Sequence, residues 1–303
     1  MERKTIVIIV VALVANYLYR QFKNSEEKFD TEENYKFVAD YLVNDRMEDL
    51  KPILWVHCPS DLNARNWESF YSRSSTKLNM PYLYVTMKSI YDKCADSFNI
   101  CLINDDSFSR LVPQWSVDLE NMPSPVKDHY RQLGLTSLLF LYGGLLVPAA
   151  TLCLKDLVYM YEDNMSDDAF VVERYADGFC PNPLFMGCRR RSETMKAFMK
   201  FQSELFKNDK TNRVDFQDQV GQWAHNRMRV VDGINVGVKT AEGKPVLIQD
   251  LLGTTPVPFY KDAVAIQIPE VENRPKFSWF CRMSPEQILD SNMVISNYIL
   301  ASY

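Results

Sequence analysis

Leu138-Leu139-Phe140-Leu141-Tyr142-Gly143-Gly144-Leu145-Leu146-Val147-Pro148-Ala149-Ala150 is the stretch whose reading decides the fold. An apolar helix stops on two glycines, and a short buried strand starts at once. Helices commonly end at a residue with positive φ, which glycine reaches without a Cβ penalty. Leu145 to Val147 has the continuous apolar character of a strand covered on both faces. Upstream, Asp128 to Tyr142 reads as the helix. Further upstream, Ile53-Leu54-Trp55-Val56-His57 and Asn99-Ile100-Cys101-Leu102-Ile103 are apolar runs of strand length, the second closed by Asn104-Asp105-Asp106. Between them, Pro81 to Asp96 is amphipathic, with Leu83, Met87, Ile90 and Tyr91 near helical spacing. Strand, helix, strand at this spacing predicts a βαβ unit in a doubly wound α/β sheet.

Downstream, Ala169 to Glu173 and Pro183 to Gly187 read as two more strands. A helix from Ser192 to Phe206 follows, its stripe formed by Met195, Phe198, Met199 and Leu205. Residues 230–269 change character: Asp232-Gly233, Glu242-Gly243 and Leu252-Gly253 punctuate short apolar runs, which predicts a small β-rich or irregular subregion. Ser284-Pro285 predicts the start of a last helix that runs to Ser302. At the other end, Asp30 and Glu33 form a capping box for a helix that Pro52 stops.

A chain of 303 residues makes one large or two modest domains, and its net charge of −5 gives no sign of a nucleic-acid partner. None of the seven cysteines forms a Cys-x-x-Cys pair, which argues against zinc. Their irregular spacing suits scattered buried thiols, although an oxidising compartment would allow six to pair.

Thr5 to Tyr19 is apolar except for Thr5 and Asn16 and is flanked by Arg3, Lys4, Arg20 and Lys23. As a helix it rises about 22 Å, short of a ~30 Å hydrocarbon core unless flanking basic side chains snorkel or the membrane is thin. A retained single-pass anchor is the expectation, with the lipid bilayer as partner of residues 5–19. A cleaved signal peptide is the rival, but the small-residue pattern is poor, since Leu13 stands two positions before Ala15. Residues 21–33 are charged and lack an apolar period, as a tether would.

The Tyr142-Gly143-Gly144 junction, Pro52-Ile53-Leu54-Trp55, Ile103-Asn104-Asp105-Asp106, Pro181 to Gly187 and Asp218-Gln219 together resemble the sugar-transferase and capsular-polysaccharide-synthesis families. The likeness spans about Pro52 to Val220. It implies a glycosyltransferase-A fold, a mixed sheet with flanking helices, which binds a nucleotide sugar. It divides the chain into an anchor at 1–24, a tether and first helix at 25–50, and a glycosyltransferase-like domain at 51–303, with the β-rich subregion at 230–269. In those families an Asp-x-Asp at the strand end holds a divalent metal against the donor diphosphate. An Asp and an Arg on the preceding helix organise the donor.

The departures fall on that chemistry. Aligned on Gly143 and Gly144, the helix Asp becomes Gln132 and the Arg becomes Leu135, while the metal ligands become Pro148 and Ala150. Neither Pro nor Ala offers a side-chain oxygen to a hard cation, so no metal and no cofactor are expected. The resemblance thus implies a non-catalytic structural or interaction protein with protein partners. The alternative is an active, metal-independent transferase that uses a nucleotide-sugar donor. Tyr-Gly-Gly-x-x-Val-Pro with Cys153 close behind also resembles proteins of large DNA viruses, often membrane-associated, which would make this a virion or viral-membrane component.

Arg189-Arg190-Arg191 offers planar forks suited to phosphate and is the one cluster that could replace a metal; an exposed loop is the plainer reading. Asp105-Asp106 reads as a turn, because adjacent residues on an extended chain point to opposite faces. His57 ends a strand where open α/β sheets place ligands, but the sequence names no carboxylate partner for it. Asp167-Asp168 reads as a solvated loop, and His129 and His225 share no spacing with a ligand set.

Overall fold

A computed structural model describes residues 37–59, 80–176, 178–207, 213–269 and 275–302. The expected anchor at 5–19, the tether and the Asp30–Glu33 capping box lie outside the described residues. Among the described residues no helix is long and apolar enough to cross a membrane. The chain divides into two units, 1–41 and 42–303. Of the first, residues 37–41 are described: a helical turn at 37–39, with the Tyr41 N–H donating to the Val38 carbonyl at 3.0 Å.

In the second unit the elements run β1 (Ile53–His57), α1 (Tyr82–Cys94), β2 (Asn99–Ile103), α2 (Ser107–Leu111), α3 (Val126–Tyr142), β3 (Gly144–Pro148), β4 (Thr151–Cys153), α4 (Val158–Asn164), β5 (Ala169–Tyr175), β6 (Phe179–Cys188), α5 (Glu193–Lys207), α6 (Arg213–Arg227), β7 (Arg229–Val231), α7 (Ile248–Leu252), β8 (Ala265–Gln267), α8 (Ser278–Cys281), α9 (Pro285–Leu289) and α10 (Val294–Ser302). Six strands form a mixed sheet in the order β2-β1-β3-β6-β5-β7, and β4 pairs with β8 in a separate ribbon. β2, β1 and β3 are parallel; β6 runs antiparallel between β3 and β5.

Alternation along the strands makes two cores. Leu54 and Val56, Leu145 and Val147, and Phe170 and Val172 point to one face. There they join α1, the β4–β8 ribbon and α10 through Ile90, Cys94, Leu152, Ile266, Ile295 and Ile299. The other face packs against α3 and α6, and α5 packs on those two helices. There the Trp55 indole N–H donates to the Gly143 carbonyl at 2.9 Å.

The Gly143–Gly144 junction is sharp for a steric reason. φ is 70° at Gly143 and 100° at Gly144. A Cβ on Gly144 would stand 2.1 Å from the Ile53 carbonyl oxygen, and one on Gly143 2.6 Å from the Arg190 backbone nitrogen. Only glycine lets α3 stop and β3 start this close to β1.

Two expectations need correction, and one element was not foreseen. The helix that Pro52 was to stop is absent from residues 42–51. Leu42 bridges Cys101, and the Asn44 side chain donates to the Ala95 and Phe98 carbonyls and accepts from the Ile100 N–H. The open edge of β2 needs partners, and that need outweighs local helix propensity. The last helix is two: Ser284 caps α9 in a capping box with Gln287, but the chain breaks at 290–293. There Ser291 donates to the Ile288 carbonyl, and the Val294 N–H donates to the Gly253 carbonyl. Finally, α6 has no counterpart in the sequence reading, although Phe216, Val220, Trp223 and Ala224 lie buried along one face of it.

Candidate functional site

β3 ends at Pro148 and a turn through Ala149 and Ala150 leads into β4. Because β1 and β3 are parallel and in register, His57 lies beside Pro148. A cavity of about 300 Å³ opens there, at the carboxyl edge of the sheet next to the point where strand direction reverses. Leu135 from α3, Pro148 and Ala150 all line it. Three positions aligned with donor-site residues in the resembled families thus converge on one cavity, and all three are apolar. Gln132 lies buried on α3 outside the lining; its carbonyl accepts from Thr136 Oγ1 at 2.9 Å.

The residues present do not fit a divalent metal. Pro148 and Ala150 bring no side-chain oxygen, and the turn's carbonyls are in use. Ala149 O accepts from Thr86 Oγ1 at 2.6 Å, and Ala150 O accepts from the Ile268 N–H at 2.9 Å. Among the described residues no carboxylate lines the cavity, and no three His, Cys, Asp or Glu side chains cluster as metal ligands.

His57 has a partner that the sequence did not reveal. Its Nε2 lies 3.1 Å from Asp105 Oδ1. Asp105 in turn accepts from Arg131, with Nε at 2.9 Å from Oδ1 and Nη2 at 2.7 Å from Oδ2; Arg131 Nη1 reaches Asp128 at 2.9 Å. Burial alone would raise the Asp105 pKa. The hydrogen bonds and positive charge of His57 and Arg131 outweigh it and hold the carboxyl well below its usual range. An ionised Asp105 can only accept, so His57 Nε2 is the donor in this hydrogen bond. The expected turn at Asp105-Asp106 is present at the end of β2.

Arg189 to Arg191 lie elsewhere. They follow Cys188, which pairs with Gly144 at the opposite, amino end of β3, about 13 Å of strand from Pro148. The Arg191 N–H donates to Phe140 O at 2.7 Å, Arg190 Nε to Leu141 O at 3.1 Å, and Arg189 Nη2 to Met165 O at 2.8 Å. Arg190 and Arg191 thus cap the last carbonyls of α3, where the helix dipole favours cations. This placement gives a structural account of the cluster and separates it from the cavity.

Among the described residues, the arginine that lines the cavity is Arg174 on β5. It continues the Phe170–Val172 alternation onto the cavity face, at a position where the pattern calls for an apolar residue. Between Val171 and Val172 the register with β6 jumps from Met186 to Asn182. Pro183, Leu184 and Phe185 therefore bulge out of the ladder, and Asn182 and Leu184 turn into the cavity lining. Asn182 Nδ2 donates to Gln267 Oε1 at 3.2 Å, and Gln267 Nε2 to the Glu173 carbonyl at 3.3 Å.

Other expected positions are structural. Asp168 accepts from Ser192 Oγ at 2.6 Å and from the Thr194 N–H at 2.9 Å at the start of α5, so it is more than a solvated loop residue. Asp218 is exposed on α6, His129 stacks on Phe216 at 3.8 Å, and neither lines the cavity. Among the described residues no disulfide joins any of the seven cysteines.

No protein-family model, curated protein or solved structure matches this chain.

Proposed function

We propose that this is a membrane-anchored, glycosyltransferase-like protein that carries out no metal-dependent transfer and acts as a structural or interaction protein. The observation that carries the reading is the convergence of Leu135, Pro148 and Ala150 on the cavity at the carboxyl edge of β3, with no carboxylate among the described lining residues. A nucleotide-sugar transferase must stabilise a departing diphosphate. A metal supplies several kcal/mol of that, and each ~1.4 kcal/mol lost slows the step tenfold. The mixed sheet with flanking helices agrees with a glycosyltransferase-A scaffold. The anchor and virion parts of the proposal rest on residues 5–19 and on the Tyr-Gly-Gly-x-x-Val-Pro form.

Hydrolysis and transfer assays across UDP- and GDP-sugars should show no turnover that depends on Mn²⁺. Robust Mn²⁺-stimulated turnover would overturn the proposal. Metal-independent turnover that disappears in Arg174→Met would replace it with the active transferase. Separately, the full chain should float with phosphatidylcholine vesicles in a density gradient while residues 42–303 stay at the bottom. Equal behaviour of the two would remove the anchor.

A further inference from the structure

Two polar groups in the cavity wall lack partners among the described residues. Thr151 is fully buried on β4 and lines the cavity, yet its Oγ1 makes no hydrogen bond. Arg174 Nε is buried in the same wall and also makes none. Native interiors satisfy the large majority of such atoms, and a buried donor left unmet costs about 1–3 kcal/mol. Among the described lining residues no carboxylate is at hand for the guanidinium. The neighbouring Glu173 is engaged by Lys239 at 2.6 Å and by the Gly233 N–H at 2.9 Å. The other cavity amides are engaged: Asn182 donates to Gln267 and accepts from the Leu184 N–H, and Gln267 donates to the Glu173 carbonyl. The rest of the wall is apolar, formed by residues such as Met80, Leu83, Leu135, Leu146, Val238 and Ile268.

We propose that this cavity binds a small amphiphilic anion: an oxyanion head held by Arg174 and Thr151, and an apolar body lying against apolar lining residues such as Leu83, Val238 and Ile268. Arginine's fork matches a carboxylate or a phosphate, and the Thr151 hydroxyl adds a third hydrogen bond to the same head. Among the described lining residues Arg174 is the one fixed positive charge, which suits a singly charged head. A nucleotide sugar, with its diphosphate and polar sugar, suits this lining poorly. The inference stands on the cavity alone and does not require the transferase-like reading, whose own test is turnover.

The test is calorimetric titration of the full chain with four ten-carbon probes: decanoate, decyl phosphate, decanol and decyltrimethylammonium. Decanoate or decyl phosphate should bind about 10- to 100-fold more tightly than decanol and the cation, the range expected for hydrogen bonds to a charged head. The tighter of the two anions identifies the natural head, and equal affinity supports the shared oxyanion chemistry. Arg174→Met should erase the preference for anions, and the isosteric Thr151→Val should weaken anion binding several-fold while leaving decanol unchanged. Thermal melts confirm folding of both variants. Decanol binding as tightly as decanoate would overturn the proposal. So would an anion preference that survives Arg174→Met, since adsorption to residues 5–19 would ignore that change, or no anion binding at all.

Discussion

Gly144→Ala is expected to leave the protein largely unfolded at room temperature, whereas Gly221→Ala should stabilise it. The two changes add the same methyl group. At Gly221, in the middle of α6, the added Cβ meets nothing within 4 Å. There alanine only improves helix propensity and restricts the unfolded chain, a gain of about 0.5–1 kcal/mol. At Gly144 the backbone sits at φ 100°, which costs an L-residue about 1–3 kcal/mol by itself. The new Cβ would also overlap the Ile53 carbonyl oxygen at 2.1 Å. That oxygen is backbone, so no rotamer change gives relief; β1 and β3 must separate. Their pairing, Leu54↔Leu145 to His57↔Pro148, lies inside the sheet, and its last pair lines the cavity. The sum should exceed 4 kcal/mol, beyond the ordinary range for point changes and a large part of a typical domain's stability of about 5–15 kcal/mol. Chemical denaturation of the two variants beside the parent decides the matter. A Gly144→Ala protein within about 1 kcal/mol of the parent would mean that the junction is not built as described.

The junction was legible because the signal is local: two glycines between apolar runs have few structural solutions. The strands β1, β2, β3 and β5 and the helices α1, α3 and α5 were legible for the same reason, through period and length. What escaped the sequence was non-local. His57 and Asp105 are 48 residues apart and meet because β1 and β2 pair in parallel with His57 opposite Ile103. Predicting the βαβ unit does not supply that register. Asn44 left its helix to serve the edge of β2, a demand that exists only once the sheet has formed. Arg174 was closer to reach. Extending the Phe170, Val172 alternation by one step puts a cation on the buried face, and the sequence reading stopped the strand at Glu173. The Arg189–Arg191 run drew attention by composition, and its place at the amino end of β3, with Arg190 and Arg191 bonded to the last carbonyls of α3, depends on a fold that composition does not report. The Leu135, Pro148 and Ala150 positions came together because they were counted from Gly143, a fixed point in both sequence and space.

Asp105→Asn should cost about 3 kcal/mol at neutral pH and remove part of the protein's acid sensitivity. Asp105 and Arg131 have side chains 6% and 10% exposed, so the pair is buried. Removing one partner of a buried pair costs about 3–5 kcal/mol, because the remaining charge is left uncompensated. The low end applies here because Asp128, bonded to Arg131 at 2.9 Å, still neutralises the guanidinium in part. Asparagine is close to isosteric with aspartate, so the loss reports charge and hydrogen bonding rather than a cavity. It can accept from Arg131 with only one oxygen, and its amide must face either His57 or a guanidinium donor. The pH dependence follows from the direction of the shift. The folded-state pKa of Asp105 lies below the unfolded value of about 3.9, so its contribution is fully present above that value and fades as pH falls toward the folded one. In the parent, stability should therefore decline steeply below about pH 4. Asp105→Asn should start lower at neutral pH and show a shallower acid limb. Arg131→Met alone should destabilise by leaving Asp105 and His57 without their cation. The Asp105→Asn/Arg131→Met double variant should lose less than the sum of the singles, because each single strands a charge that the double does not. Urea unfolding of the four proteins at pH 7, at pH 4 and at steps down to about pH 2.5 measures all of this. Additive losses with parallel acid limbs would show that the His57–Asp105–Arg131 network does not hold the carboxyl edges of β1 and β2 together.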